Sequence, residues 1–161
     1  MRNTPARLLL SSTLLAATLL FAWPLPAASS DPLLVIVGLQ FPGDDVRLLD
    51  LKTAFRGQPT TIAGKRMIPI NHPVGSTLRA SFDRVILGLE PSAVGRYWVD
   101  RRIRDEGTPP TNAPSPEIAV RVVATLIGAV TYGSRTMLTP KVRALKVDGK
   151  AVGQPGYALG R

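Results

Sequence analysis

The residues best suited to chemistry lie in the stretch NHPVGSTLRASF, at 71–82. Gly75, Ser76 and Thr77 stand where a β-rich segment gives way to helical spacing, which predicts a helix capped by Ser76. The first amides of a helix lack intrahelical acceptors and carry the positive end of its dipole. Since Gly75 leaves room for a ligand and the hydroxyls can donate, this turn could hold a small anion.

Arg79 allows two interpretations of this turn. As the third helical residue it puts a cation at the positive end of the dipole, which costs about 0.3–1 kcal/mol at an exposed site. A bound anion would reverse that interaction and accept a charge-assisted hydrogen bond. Alternatively, Ser76 only caps the helix and Arg79 pairs with Asp83, a contact worth about 0.2–0.5 kcal/mol. The residues alone leave both interpretations open.

Other kinds of site find little support. The chain has one histidine, His72, and no cysteine, which excludes thiol catalysis and zinc sites built on cysteine and histidine. Ser76 lacks the G-x-S-x-G setting of a nucleophile. His72, which lies four residues before Ser76 and is separated from it by Pro73, fits a strand end better than a base or a ligand. GDD at 43–45 fits a turn and a helix N-cap better than a metal site. We therefore expect no catalytic residue, metal or cofactor.

The N-terminal segment has the order of a secretory signal. Arg2 and Arg7 precede an apolar core of about 15 residues, and small residues follow. This core is shorter than the ~20 residues of a membrane span. We expect residues 1–28 to be a cleaved signal peptide and residues 29–161 to form one periplasmic domain that is not integral to the membrane. An uncleaved N-terminal anchor is the alternative.

The charge of the chain bears on its partners. The formal net charge is +9, and it falls to +7 once Arg2 and Arg7 are removed. Because an exported protein meets few nucleic acids, we expect no nucleic-acid partner and favour anionic solutes, anionic envelope surfaces or an acidic protein; solubility is the simpler explanation. The cluster that could meet such a surface is Arg96, Arg101, Arg102 and Arg104.

Strands and helices must position these residues. The predicted strands are residues 33–38, 67–71, 128–133 and 142–149. The predicted helices are residues 46–57, 76–88, 92–104 and one that starts at Ser115 with Pro116 in its first position. Pro69 predicts an edge or a bulge for the second strand, and residues 58–66 read as a loop. This order is typical of an α/β fold, a small sheet with helices on its faces.

Helical spacing also predicts the buried faces. The expected core positions are Leu78, Phe82, Val85, Ile86 and Leu89 in the second helix, Val94, Tyr97, Trp98 and Ile103 in the third, and Ile118, Val122 and Leu126 in the fourth.

Several segments keep one order over about 120 residues: LKTAFRG, IPINHPVGSTLRASFDRVIL, GTPP, IGAVTYG, ALKVDGKAV and GYAL. In these segments the chain resembles the phosphate-binding proteins of bacterial ABC importers, which are type 2 periplasmic binding proteins. It is most similar to their short single-domain members. The resemblance implies a single lobe of that α/β fold, with a small mixed sheet flanked by helices.

In that family an R-x-D-G-S-G-T segment at a helix N-terminus holds the anion. Gly75 and Ser76 match its first Gly and Ser, whereas His72 and Val74 stand where the family has Arg and Asp. The resemblance implies a site for phosphate or a related oxyanion. The residues that would form it are Gly75, Ser76, Thr77 and Arg79.

The resemblance also implies a role and partners. We expect weak oxyanion binding for ABC-type uptake or envelope sensing, without catalysis. The partner would be an ABC importer permease or an envelope sensor protein, and a homodimer could complete the cleft because only one lobe is matched. The alternative is a periplasmic interaction module that kept the fold but lost solute binding.

Overall fold

The computed structural model of the protein describes residues 31–160. The predicted signal peptide, residues 1–28, lies outside the described residues. Within the described part, no helix combines the length and the apolar character needed to cross a bilayer.

The four predicted strands and four predicted helices are all present, in the predicted order. The strands are β1 (Leu34–Gly38), β2 (Asp45–Val46), β3 (Thr61–Ile62), β4 (Lys65–Arg66), β5 (Ile68–Asn71), β6 (Thr111–Asn112), β7 (Ala129–Gly133) and β8 (Val142–Val147). The helices are α1 (Leu48–Phe55), α2 (Thr77–Ile86), α3 (Pro91–Ile103) and α4 (Pro116–Thr125), with a 3-10 turn at Arg135–Met137.

Six strands form one mixed sheet in the order β2-β8-β1-β7-β5-β6. β1 is antiparallel to both of its neighbours, with Val35 opposite Tyr132 on β7 and Leu145 on β8. β5 is parallel to both β7 and β6. The carboxyl ends of β5 and β6 therefore meet at one edge of the sheet, where the chain leaves β5 towards α2.

Helices cover both faces of the sheet, which explains why β1 is buried along its whole length. Successive side chains of a strand point to opposite faces. Val35 and Val37 pack with Phe82 of α2 on the side of α1, α2 and α3, whereas Leu34 and Ile36 pack on the α4 side. A strand buried on both faces reads as a continuous apolar run, as residues 33–38 do.

The prediction that Pro69 lies at a sheet edge is wrong, since β5 has a neighbour on each side. The amide of Ile68 donates to Gly128 O on the β7 side, so the nitrogen of Pro69 faces β6. Pairing with β6 begins only at Ile70, opposite Thr111. Pro69 therefore occupies a central strand at the one position where no ladder hydrogen bond is required of it.

The prediction that residues 43–45 cap α1 is also wrong. Asp45 belongs to β2, and its carboxylate accepts from Gly149 N at 2.9 Å. The N-cap is Arg47, whose side chain makes no capping bond. The amide of Leu48 donates instead to Asp148 Oδ1 at 3.1 Å, from a residue 100 positions away. A tertiary contact replaces the local cap.

The buried faces of α3 and α4 differ from expectation. Ile103, the last residue of α3, is 79% exposed, and Leu126, just past α4, is 44% exposed. α4 buries Ala119, Val120 and Val123, while Ile118 and Val122 are only half-buried.

The reason for the change in α4 is close packing. A Cβ on Gly38 of β1 would lie 2.3 Å from Val123 O, so the helix backbone rests almost directly on the strand. The face of α4 that carries the small residue Ala119 permits that approach, and the face that carries bulkier side chains points outward.

Two-residue strands were not predicted. The loop expected at 58–66 contains the β3–β4 hairpin, which turns through Ala63 and Gly64 at φ +46° and +76°. β2 and β6 are equally short. Such strands give too few residues for an alternating pattern, and β2 and β6 also depend on partners distant in the chain.

Candidate anion-binding site

The predicted site lies at the carboxyl end of β5, where the chain turns into α2. Ser76 N donates to Pro73 O at 3.2 Å, which closes the turn. Gly75 has φ +87°, a region that glycine adopts readily and other residues avoid. A Cβ at Gly75 would meet no atom within 4 Å, so the position faces open space. Glycine is required here for its conformation, and it also leaves the approach clear.

Ser76 is the N-cap of α2, as predicted. Its backbone is extended, and its Oγ accepts from Arg79 N at 3.3 Å. Because the oxygen is the acceptor, the hydroxyl hydrogen remains available for donation. The amides of Thr77 and Leu78 belong to the first helical turn, where no intrahelical acceptor exists.

Arg79 is buried, with 7% of its surface exposed. Its Nε donates to Asp83 Oδ2 at 3.3 Å, which is the pairing expected for a capped helix. Its Nη1 donates to His72 O at 3.1 Å and to Asn112 Oδ1 at 2.8 Å. The remaining nitrogen, Nη2, makes no hydrogen bond to any residue between 31 and 160. Three segments thus fix the guanidinium and leave one nitrogen unpaired.

Asp83 balances part of this charge. It is 5% exposed, and burial raises the pKa of its carboxyl, while the neighbouring Arg79 acts in the opposite direction. A buried ion is tolerated when it is paired and hydrogen-bonded. The pair therefore anchors the guanidinium, and Nη2 is its one nitrogen without a hydrogen bond to residues 31–160.

A buried polar cluster lies beneath the turn. His72 is fully buried, and its Nε2 must donate to Tyr132 O, because a carbonyl oxygen only accepts. Burial lowers the pKa of His72, against a smaller opposing effect of that hydrogen bond. The Tyr132 ring stacks on Phe82 of α2 at 3.6 Å. His72 therefore belongs to the support of the site, as its position after a strand suggested.

A cavity of about 370 Å³ adjoins the start of α2. All four predicted residues, Gly75, Ser76, Thr77 and Arg79, line it. The other lining residues come from the turn, α2, α3 and the segment around β6: Val74, Ala80, Asp83, Pro91, Val94, Gly95, Trp98, Pro109 and Asn112.

Sequence reasoning missed two polar residues of this cavity. Asn112 holds Arg79 from β6, a strand too short to carry a sequence signal. Trp98 was assigned only to the core of α3. Its apolar spacing was visible in the sequence, but its position beside α2 depends on how the helices pack.

The acids and the histidine of residues 31–160 do not gather into a group of three or more that could hold a metal ion. The polar groups at the start of α2 are instead mainly donors: amides, hydroxyls and one guanidinium nitrogen. Such an arrangement suits a small anion.

Comparison with known proteins gives results for structures only. No protein-family model and no curated protein matches the sequence. An ABC-type phosphate transport receptor from Vibrio cholerae superposes with a TM-score of 0.60 at 16% identity, covering 76% of this chain and 48% of that one. A putative phosphate ABC transporter substrate-binding protein with bound phosphate from Clostridium perfringens gives a TM-score of 0.57 at 19% identity, covering 76% and 47%.

A possible phosphate binding protein from Planctomyces limnophilus DSM 3776 matches at a TM-score of 0.53 and 14% identity, covering 78% of this chain and 45% of that one. The chain thus spans about half the length of the solved proteins it matches. At these identities the likeness concerns the fold. It confirms the expected architecture: a mixed sheet flanked by helices, which matches a single lobe of the fold of these solved proteins.

Proposed function

We propose that this protein is an exported solute-binding-type protein that binds phosphate or a related oxyanion weakly, for ABC-type uptake or envelope sensing. The observation that carries the proposal is the convergence of Gly75, Ser76, Thr77 and Arg79 on one cavity. First-turn amides, two hydroxyls and the unpaired Nη2 of Arg79 can all donate there. No chemical step is required of the protein.

The electrostatics favour an anion of modest affinity. The first turn of α2 contains no acidic residue, so no carboxylate of that turn competes with the ligand. Asp83 offsets part of the charge of Arg79, and the cavity is open to water and salt, which weakens interactions between charges. Binding in the millimolar range at low salt is the expected result.

The structural neighbours support the choice of anion. All three are described as phosphate-transport or phosphate-binding proteins, and the one from Clostridium perfringens holds phosphate. Since this chain covers about half of each, a second copy, an ABC importer permease or an envelope sensor protein could cover the open side of the cavity.

The sharpest test removes one amide without disturbing the helix. Thr77→Pro deletes the N–H at the first helical position, which proline tolerates. Ser76 already has ψ 143°, the extended conformation that a residue before proline needs. The chain itself uses this arrangement at Ser115 and Pro116. Thr77→Ala, which keeps the amide and loses only the hydroxyl, is the matched control.

Phosphate should be titrated into each protein by calorimetry at low salt. We expect measurable binding by the wild type, a several-fold loss in Thr77→Pro and a smaller loss in Thr77→Ala. The proposal fails if the wild type gives no heat at millimolar phosphate, or if Thr77→Pro binds as well as the wild type.

The export assignment is part of the same proposal. Residues 1–28 would be removed, and residues 29–161 would form the periplasmic domain. Mass spectrometry of the protein from a periplasmic fraction should find a mature chain that starts near Ser29. A full-length chain retained with the membrane would contradict this and favour an uncleaved anchor.

A second candidate, an interaction module, has one observation in its favour. Val99 and Ile103 of α3 are 57% and 79% exposed, and Arg96 and Arg102 are exposed on the same helix. A basic face with apolar residues suits an acidic protein or an anionic surface.

Arg101 does not belong to that face. Its guanidinium lies 5.6 Å from the Tyr97 ring centre and 3.5 Å from the Glu106 carboxylate. The test is therefore Arg96→Glu with Arg102→Glu in pull-downs from envelope extracts, with Arg84→Glu on α2 as control. An unchanged set of partners would remove this candidate.

A further inference from the structure

We propose that Trp98 is a ligand-contacting residue of the α2 cavity, whose indole N–H donates a hydrogen bond to the bound oxyanion. This inference rests on the proposed function, because it assigns an additional donor to the same site. Neither the sequence pattern nor the structural comparisons point to this residue.

The first observation is an unpaired donor. Trp98 is 8% exposed, and its Nε1 is buried with no hydrogen-bond partner among residues 31–160. An indole nitrogen can only donate, so nothing but an acceptor satisfies it. Leaving a buried donor unpaired is unfavourable, and most buried polar groups in proteins have a partner.

The second observation is the place of this donor. Trp98 lines the cavity together with Arg79, whose Nη2 is also without a partner in the described part of the chain. The two residues that carry these unpaired donors, Arg79 on α2 and Trp98 on α3, thus line the same cavity. A tetrahedral oxyanion presents several acceptor oxygens in different directions, so a single ligand could satisfy both.

The third observation is room for the indole to turn. Nε1 itself exposes less than 1 Å², so the contact requires a small rotation of the ring edge towards the cavity. Gly95, one helical turn earlier, also lines the cavity, and a Cβ there would meet nothing within 4 Å. The cavity is therefore open over Gly95, one helical turn before the indole. Tyr97, edge-on to Trp98 at 5.0 Å, lies next to it on the helix.

The test combines phosphate calorimetry with tryptophan fluorescence. Trp98→Phe removes the N–H and keeps an aromatic ring, and Tyr97→Phe on the same helix is the matched control. Hydrogen bonds to charged groups are among the stronger ones, so we expect Trp98→Phe to weaken phosphate binding about tenfold. Tyr97→Phe should bind within about twofold of the wild type.

Fluorescence gives a readout independent of affinity. The chain contains two tryptophans, Trp23 and Trp98. Trp23 lies within the residues proposed to be removed on export, so Trp98 is the only tryptophan of residues 29–161. Phosphate should change its emission in the mature wild type, and an emission that stays constant while calorimetry detects binding would contradict the inference. Gly95→Leu provides a second variant, since it fills the part of the cavity over Gly95 and should weaken binding while leaving Trp98 in place. Circular dichroism and urea midpoints would show that each variant folds.

The outcomes separate this inference from the proposed function. If Trp98→Phe and Gly95→Leu bind phosphate as the wild type does while Thr77→Pro is impaired, Trp98 is not a ligand residue and the anion site stands. If the wild type binds no phosphate at all, both proposals fail.

Discussion

The N-termini of α2 and α4 share one local design and differ in what they offer a ligand. Each helix starts after a serine whose Oγ accepts from the amide three residues later, at 3.3 Å in both cases. α4 continues with Pro116 and Glu117, whereas α2 has no acid in its first turn and carries Arg79.

This difference shows that a cap alone does not make a site. At α4, hydrogen bonds from the Ser115 side chain and from its own amide lower the pKa of Glu117, so the helix supplies its own anion. Pro116 also removes one amide. At α2 no residue of the first turn supplies a carboxylate as Glu117 does at α4, and a cation and a cavity lie beside the turn. The two helix starts have the same cap, but only the first turn of α4 contains an acidic residue.

Removing the cation of α2 should have the largest effect. Arg79→Ala leaves Asp83 buried without its partner, which typically costs about 3–5 kcal/mol of unfolding free energy. The loss should shrink at acid pH, because a protonated Asp83 no longer buries an unpaired charge. Urea unfolding measures both effects.

Two further variants control that experiment. Arg121→Ala on α4 removes an exposed arginine and should change stability by less than about 0.5 kcal/mol. Replacing the buried pair by Arg79→Met with Asp83→Leu should recover most of the loss, since apolar groups of similar size need no partner. A loss below about 1 kcal/mol in Arg79→Ala would mean that the pair does not anchor α2.

The second prediction concerns pH and His72, which lies beneath α2. Its pKa in the folded protein lies below the ordinary value of 6.5. Below that pH the unfolded chain takes up a proton that the folded chain resists. The contribution of the neutral His72 to the unfolding free energy is therefore complete above pH 6.5. It is lost as the pH falls towards the folded pKa, by at most about 1.4 kcal/mol per pH unit.

His72 is the only histidine, so its titration can be followed directly by NMR in the folded protein. The carboxylates that titrate at lower pH do not affect this assignment. A folded-state midpoint at or above the ordinary histidine value would contradict the prediction.

The third prediction compares the two caps. Ser76→Ala and Ser115→Ala should each lower the unfolding free energy by about 1 kcal/mol, because the two capping bonds have the same length. Addition of phosphate should then affect the stability of the two variants differently. It should stabilise Ser115→Ala as much as the wild type and Ser76→Ala less. Equal stabilisation of both variants would argue against a site at α2.

The smallest effect is expected at Glu117. Glu117→Gln should reduce stability slightly at low salt, and the reduction should fade as salt is added, since the residue is exposed. Glu117 also raises the pKa of His72, whereas Arg79 lowers it. Glu117→Gln should therefore move the His72 titration to lower pH. A shift of the His72 titration to higher pH would show that Glu117, at the start of α4, does not raise the pKa of His72.

The sequence predicted the local parts of the site. The cap at Ser76, the start of α4 at Ser115 and Pro116, and the end of α2 at Gly88, which has φ +72°, each depend on residues within one helical turn. Such signals are complete in the sequence, because all the interacting groups are neighbours along the chain.

Other parts of the site could not be read in this way. Arg79 finds its acceptors in His72 O and in Asn112, which is 33 positions away, and the sequence indicated only Asp83. The helical spacing of Trp98 predicts a core position, and it carries no information on what the indole nitrogen faces. Which groups end up unpaired depends on how α2, α3 and β6 come together.

The sequence by itself determined the order of the long elements, the caps of α2 and α4, and the glycine turn before Ser76, because short-range hydrogen bonds and backbone preferences fix these features. The tertiary structure decided the rest. Asp148 caps α1 from 100 residues away, and Pro69 fits inside the sheet because β6 starts late. Arg79 is held so that one nitrogen has no partner among residues 31–160. These contacts join groups distant in the chain, and only the packing of the sheet and helices brings them together.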